Sequence, residues 1–288
     1  MAHLFKYVTA ETGCKIIENR TLRWSTPSTL NDPFDMQFAF QLRIDRQAAR
    51  AMALEKQWQH LYGEASDRPL NNLGVIIRQR RVVFPSLRRE EFNREMGPAI
   101  DESFERVEQK MSRFNEWVQS QFANDKIFCL SDKPDIIPMW SYYAQNHSGL
   151  VLRFTDETPN NPLAMARRVR YSEQMPSLFN DEMLSDMLAG YSGIDAERIR
   201  AEVVWTKSIH WSHEREWRVY AGAGRSTAPH EDIPFNAHEL DGVIFGVRAT
   251  DSVKTRIGAA VRTLYPHAEI LQTRPIIDAY ELAIERVQ

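Results

Sequence analysis

Residues 213–220 read HEREWRVY and set two glutamates, Glu214 and Glu216, two residues apart in front of Arg218. In an extended strand side chains alternate, so Glu214, Glu216, Arg218 and Tyr220 share one face and Trp217, Val219 and Ala221 the other. Like carboxylates so placed repel, and a fold keeps them most readily where a cation, donors or a substrate compensates them. Two readings follow: a solvent-facing edge with Glu216 paired to Arg218 or a neighbour, or a site built on two carboxylates. Two further polar groups stand on loops or strand ends: Lys6 and Tyr7 with Asn31, Asp32 and Asp35, and Trp140 and Tyr143 with His147. Functional side chains gather where a rigid sheet holds its loops, so three such groups in one chain favour a site, and whether Tyr143, Asp32 and Glu216 line one pocket decides it.

Other chemistries lack their residues. There is no GxSxG elbow, no GxxxxGK[ST] phosphate loop and no GxGxxG, and HEREW is not HExxH. On a strand His210 and His213 point to opposite faces, and Cys14 and Cys129 are isolated, so neither a metal site nor a disulfide framework is expected. With 43 % hydrophobic and 26 % charged residues, the 288-residue chain is of soluble globular type. Its net charge of −3 gives no general attraction to nucleic acid or an anionic membrane, so any polyanion site must be local. The start, MAHLFKYVTAE, has no basic segment followed by a long apolar one, and no window approaches eighteen apolar residues; a cytoplasmic protein without membrane association is expected.

The elements that position these groups follow from local pattern. LFKYV, residues 4–8, reads as a strand, AETGCKIIENR as a helix and TLRWSTP as a strand stopped by Pro27. Pro33 and the local bonding of Asn31 and Asp32 make NDPFD a rigid turn presenting Asp32, Phe34 and Asp35. Residues 45–123 read as long helices broken around 63–69 and near Pro85. In the last of these Phe104, Val107, Met111, Phe114, Val118 and Phe122 mark an apolar stripe, and the basic clusters at 78–81 and 88–89 read as solvated faces. KIFCLSDK is a strand. Pro138 opens a short helix that puts Trp140, Tyr143 and His147 on one side, and GLVLRF is the next strand. After a Pro/Asn-rich loop at 155–165 come a short strand (RRVRYS), a mostly helical insertion at about 176–202, a buried strand at 242–247, a helix at about 252–264 and a last strand, AEILQTRPI. The expected architecture is one α+β domain over residues 1–288, with a mixed, mostly antiparallel sheet and the helices of 45–123 inserted into it.

LFKY, LRWSTPSTLNDPFD, FCLS with PMWSYYAQNHSGLVLRF, VRYS, KSIHW with EREWR, and DGVIFG stand in that order between residues 4 and 280. Together they resemble the bacterial family catalogued as domain of unknown function 2971. The element order also resembles that of ADP-ribosyltransferases: LFKYVTAETGCKIIENRTLRWS their opening strand, helix and strand, FCLSDKPDIIPMWSYYAQNHSGLVLRF their strand, helix with an inward tyrosine, and strand, and HEREWRVYAG the strand bearing an ExE motif. That resemblance implies NAD as substrate, Glu216 as the catalytic glutamate and Glu214 as the accessory one. Tyr143 or Trp140 would stack on nicotinamide, Lys6 and Tyr7 stand where the first-strand Arg or His is found, and Asn31, Asp32 and His147 complete the cofactor-binding set. Arg23, Lys6 or Arg218 would meet the pyrophosphate. A bacterial toxin or phage-defence effector is implied, with a protein or nucleic acid as macromolecular acceptor and a neutralising partner protein. Two alternatives stay open: a metal-dependent nuclease using Asp32, Asp35, Glu214, Glu216 and Lys207, and a non-catalytic binding module presenting Trp140, Tyr143 and NDPFD.

Overall fold

The computed structural model describes residues 3–37, 39–63, 68–83, 86–155, 161–191, 193 and 196–287. In chain order the elements are β1 (His3–Val8), α1 (Ala10–Asn19), β2 (Thr21–Ser25), α2 (Arg46–Tyr62), α3 (Asn72–Val83), α4 (Arg89–Phe122), β3 (Asp125–Ser131), α5 (Ile137–Tyr142) and β4 (Leu150–Thr155). They continue with β5 (Arg167–Arg168), β6 (Arg170–Ser172), α6 (Asp181–Leu188), α7 (Ala196–Val204), β7 (Thr206–Ser208), β8 (Glu216–Ala223), β9 (His230–Pro234), β10 (Leu240–Phe245), α8 (Asp251–Leu264), β11 (Glu269–Pro275) and β12 (Leu282–Arg286). The class is α+β with a mixed, mostly antiparallel sheet. The break expected near Pro85, most of the break at 63–69 and half of the loop at 155–165 lie outside the described residues.

The chain divides into two compact units, Met1–Gln37 with Gln121–Gln174 and Trp205–Gln288, and Phe38–Ser120 with Met175–Val204. The second is helical. Asp45 caps α2 by accepting from the N–H groups of Gln47 and Ala48. Ala49, Ala53 and Leu61 of α2 then pack with Ile77, Phe92, Phe104, Leu184 and Leu188 in one apolar core.

The first unit holds the sheet, ordered β12-β11-β10-β4-β1-β3-β2-β9, with β8 and β5 off that path. Alternation along the strands gives it two apolar faces. Leu4, Val8, Leu150, Leu152, Phe154, Val243 and Phe245 pack with Ile17 of α1 and Ile257 and Val261 of α8. Phe5, Tyr7, Val151 and Ile244 pack instead with Met139 and Trp140 of α5. Thr9 caps α1, and Arg20 ends it in the left-handed conformation at φ 53°. Gly13 lets α1 lie close on β4, since a Cβ there would come within 2.7 Å of Leu150.

What positions a site is the way strands share β3. Along one edge β3 pairs with β8 from Asp125↔Ala223 to Ser131↔Glu216. The other edge is divided: β1 meets it at Phe5↔Ser131 and β2 at Ser25↔Ile127. Cys129 stands between those two contacts, and its carbonyl is taken by the Lys6 ammonium at 2.8 Å. A buried backbone acceptor must be satisfied, so Lys6 replaces the hydrogen bond that the parting strands leave unmade.

Candidate functional site

The gap between β1 and β2 is the floor of a cleft holding about 820 Å³ of atom-free space, part of it continuous with solvent. Phe5, Lys6 and Tyr7 of β1, Arg23 and Ser25 of β2, Thr29 to Asn31, Asp35, and Ile127, Cys129 and Leu130 of β3 form its walls, with Met139, Tyr143, Lys207, Glu214 and Glu216.

The two glutamates reach this cleft by a route the alternation rule does not describe. Residues 209–214 form a 3-10 helix capped by Ser208, Arg215 takes a left-handed φ of 49°, and β8 begins only at Glu216. The Arg215 guanidinium pairs with Asp132, and its carbonyl accepts from the Asp132 N–H at 3.3 Å, which holds the turn. Contrary to the alternation expected from sequence, Glu214 therefore does not share a strand face with Glu216, yet both carboxylates meet one ammonium. Each glutamate is only 3 % exposed, so the solvent-facing edge is also set aside. Tyr220 takes no part: its hydroxyl donates to Asp125 Oδ2 at 2.5 Å.

Lys207, on β7, donates to Glu214 Oε2 at 2.5 Å and Glu216 Oε2 at 2.9 Å and lies 3.5 Å from Asp35 Oδ2. Arg218, fully buried, donates from Nε to Glu216 Oε1 at 2.6 Å, and from Nη2 to Glu216 Oε2 at 3.1 Å and Asp35 Oδ2 at 2.5 Å. Tyr143 donates to Glu214 Oε1 at 2.5 Å while accepting from Asn31 Nδ2 at 2.7 Å. The Glu216 N–H donates to the hydroxyl of Tyr171, whose pKa burial pushes up to about 12. Three carboxylates thus surround two cations, leaving one formal negative charge in this buried group.

The environment drives the two glutamates apart. Burial alone would raise the Glu216 carboxyl, but Arg218 and Lys207 overcome it and hold Glu216 well below the usual carboxylate range. At Glu214 burial wins over Lys207, with Glu216 adding to it, and the carboxyl is raised. Burial opposes the Lys207 charge, but Glu216, Glu214 and Asp35 together keep it an ammonium. Burial and then Glu214 push the Tyr143 hydroxyl up, so it remains a donor. One permanently ionised carboxylate beside another of raised pKa is the pattern of a fixed charge next to an acid or base.

Of the residues singled out in the sequence, Lys6, Tyr7, Arg23, Asn31, Asp35, Tyr143, Lys207, Glu214 and Glu216 line the cleft. Arg218 lies behind Glu216. Asp32 does not reach it: its Oδ1 accepts from the Phe34 N–H at 2.9 Å, fixing the NDPFD turn, and Asp35 takes the expected place. Trp140 and His147 are also elsewhere. Trp140 is fully buried, donates to the Pro134 carbonyl at 2.8 Å, meets Tyr7 edge-on and stacks on His147. The helix ends at Tyr142, and Gln145, Asn146 and His147 all have positive φ, so the three-and-four spacing no longer sets their direction. Tyr7 donates to the Lys133 carbonyl at 2.8 Å and accepts from the Ile136 N–H at 3.1 Å, anchoring the loop before α5.

Asp35, Glu214, Glu216 and Lys207 of the nuclease set do come together, but the lysine ammonium occupies the point their carboxylates share. Among the described residues no group of three His, Cys, Asp or Glu side chains is arranged to hold a metal ion, and no helix is long and apolar enough to cross a membrane.

The fold and cleft define an α+β protein whose polar site spans β1, β2, β3 and the segment from α5 to β8. Residues 139–219 match the model of the family described as Protein of unknown function (DUF2971), the family to which the motifs pointed. The matched stretch carries Tyr143, Lys207, Glu214, Glu216 and Arg218. No curated protein and no solved structure matches the chain.

Proposed function

We propose that the cleft binds NAD and that the protein transfers ADP-ribose from it to a protein or nucleic acid, as a toxin or phage-defence effector. The observation that carries this reading is the pair of buried glutamates with oppositely shifted carboxyls, facing a tyrosine across a cleft that opens where β1 and β2 part. Breaking the bond between nicotinamide and ribose sends its electron pair to the ring nitrogen and leaves an oxocarbenium-like sugar, which a preorganised carboxylate stabilises. Glu216, held ionised by Arg218 and Lys207, supplies that charge. As the acceptor attacks the anomeric carbon it loses a proton, and Glu214, the more basic carboxylate, receives it. Tyr143, with Phe5 and Met139, walls the ring. Lys6 and Arg23 with the hydroxyls of Ser25 and Thr29 offer the pyrophosphate an anion-binding end. Arg23 is already held by both oxygens of Asp232, at 2.9 and 3.1 Å, which sets its direction.

Calorimetric titration of the purified chain with NAD tests the reading. Saturable one-to-one binding is expected, weakened roughly three- to tenfold in Tyr143→Ala by loss of an aromatic contact. His147→Ala, outside the cleft, is expected to leave the affinity unchanged. Absence of NAD binding at millimolar concentration would remove the proposal.

The raised Glu214 carboxyl sets a pH signature. A base works only when deprotonated, so the acid limb of kcat/KM is expected above the ordinary glutamate range and absent from the residual rate of Glu214→Gln. An acid limb that persists unchanged in that variant would assign the base elsewhere.

A further inference from the structure

The strands at the two ends of the sheet, β9 and β12, each pair along one edge, and their other edges are built differently. On β9 the Phe235 N–H donates to the Arg20 carbonyl at 3.1 Å and the Pro229 carbonyl accepts from the Thr26 N–H at 3.0 Å, so odd-numbered residues bond towards β2. Backbone groups alternate sides along a strand, and His230, Asp232 and Pro234 therefore present theirs to the free edge. Pro234 has no N–H to offer, and Asp232 is held by Arg23. Proline and charge together are how a sheet guards an edge against another chain.

β12 carries no such guard. The Ile276 N–H donates to the Glu281 carbonyl and the Val287 N–H to the Ile270 carbonyl, both at 3.0 Å, so here too odd-numbered residues bond inward, towards β11. Leu282, Ile284 and Arg286 each turn an N–H and a carbonyl outward, and these have no partner among the described residues. The Leu282 and Ile284 side chains are only partly covered by the apolar core behind them. Both ends of the strand are apolar and exposed: Ile277 at 87 % and Tyr280 at 99 % in the turn before it, and Val287 at 40 % after it. A complete edge with apolar ends is a surface made for another strand.

We infer that β12 pairs with β12 of a second copy of this chain, antiparallel about a two-fold axis at Ile284. In that register Ile284 faces Ile284 of the second copy and Leu282 faces its Arg286, so each outward N–H and carbonyl gains a partner. The turn of one copy then lies beside the Val287 end of the other, apolar against apolar, which is the self-complementarity a two-fold contact requires. Pro234 guards the sheet's other end against the same pairing, so the assembly closes as a dimer instead of extending. One strand edge and one turn per copy bury on the order of 1,000 Å² in total, the lower end for a specific interface, and a reversible dimer with a dissociation constant on the order of tens of micromolar is expected.

Sedimentation velocity of the purified chain at about 1 to 500 μM tests this, with a passage from mostly monomer to mostly dimer expected across that range. Arg286→Pro removes an outward N–H and sets a ring on the edge, and its dissociation constant is expected to rise at least about tenfold. Arg286→Ala also loses the ion pair with Glu269 but keeps the N–H, and should dimerise within about threefold of the unaltered chain. Ile277→Ser combined with Tyr280→Ser, at side chains already in solvent, is expected to weaken the dimer at least about tenfold. A monomer at every concentration would overturn the inference. A dimer as strong in the turn variant as in the unaltered chain, or equal affinities in the two Arg286 variants when circular dichroism shows both folded, would place the contact elsewhere and overturn it as well. If Arg286→Pro does not fold, the turn variant decides.

Discussion

Replacing Glu216 by glutamine is expected to lower the rate of nicotinamide release from NAD by roughly two to three orders of magnitude, the usual cost of one preorganised charge lost at a developing opposite charge. The substitution keeps the side chain's shape and leaves an amide oxygen for one cation, while its amide nitrogen meets a donor of Arg218 or Lys207 and lowers stability; in the folded variant the loss should fall on kcat, with NAD affinity changed only a few-fold. That division separates the claim from a packing role. Glu216 touches Arg218 through both oxygens and Lys207 through one, and a variant that merely disordered the cleft would lose binding as well. Full turnover by Glu216→Gln would mean that another group faces the sugar.

Arg218→Met should produce the largest loss of stability. Its guanidinium is fully buried and bridges Glu216 and Asp35, so the variant leaves two buried carboxylates with Lys207 as their remaining nearby cation. Removing one partner of a buried ion pair costs about 3–5 kcal/mol, because the other charge remains desolvated. The exposed Arg23–Asp232 pair provides the comparison, since an ion pair in water is worth about 0–1 kcal/mol. Urea unfolding of Arg218→Met and Asp232→Asn should therefore differ by several-fold in the free energy lost. A loss below about 1 kcal/mol for Arg218→Met would show that Asp35 and Glu216 are not held as buried anions.

The opening of the sheet was legible because its signals are local. A short aromatic and β-branched run marks β1 and alternating apolar residues mark β2, and the helix between them falls within a residue of its expected bounds. The Pro138 signal for α5 is local in the same way, and the proline stands in the first turn of that helix. Glu214 and Glu216 stand out in the sequence as a pair, but their geometry does not, since a 3-10 turn and a left-handed Arg215 break the strand alternation between them. Lys207 had no spacing signal. It lies seven and nine residues before its glutamates, and only the turn between brings its ammonium to both. Asp35 stands out in the sequence as a turn residue and as a member of the acidic set with Glu214, Glu216 and Lys207, but its bond to Arg218 spans 183 positions and depends on the sheet being assembled. The division of one β3 edge between β1 and β2, which opens the cleft, is likewise a property of strand pairing and not of any one strand. His147 shows the opposite failure, a helical spacing carried past the end of its helix, whereas Trp140 lies within α5 and turns into the core.

The central claim is transfer of ADP-ribose dependent on Glu216, and the most direct measurement follows label from adenylate-labelled NAD into acid-precipitable macromolecules of a bacterial lysate. The purified chain is expected to transfer label to protein or nucleic acid, and Glu216→Gln at the same concentration to leave it in solution. No incorporation by the unaltered chain, or incorporation that proceeds equally without the glutamate, would contradict it.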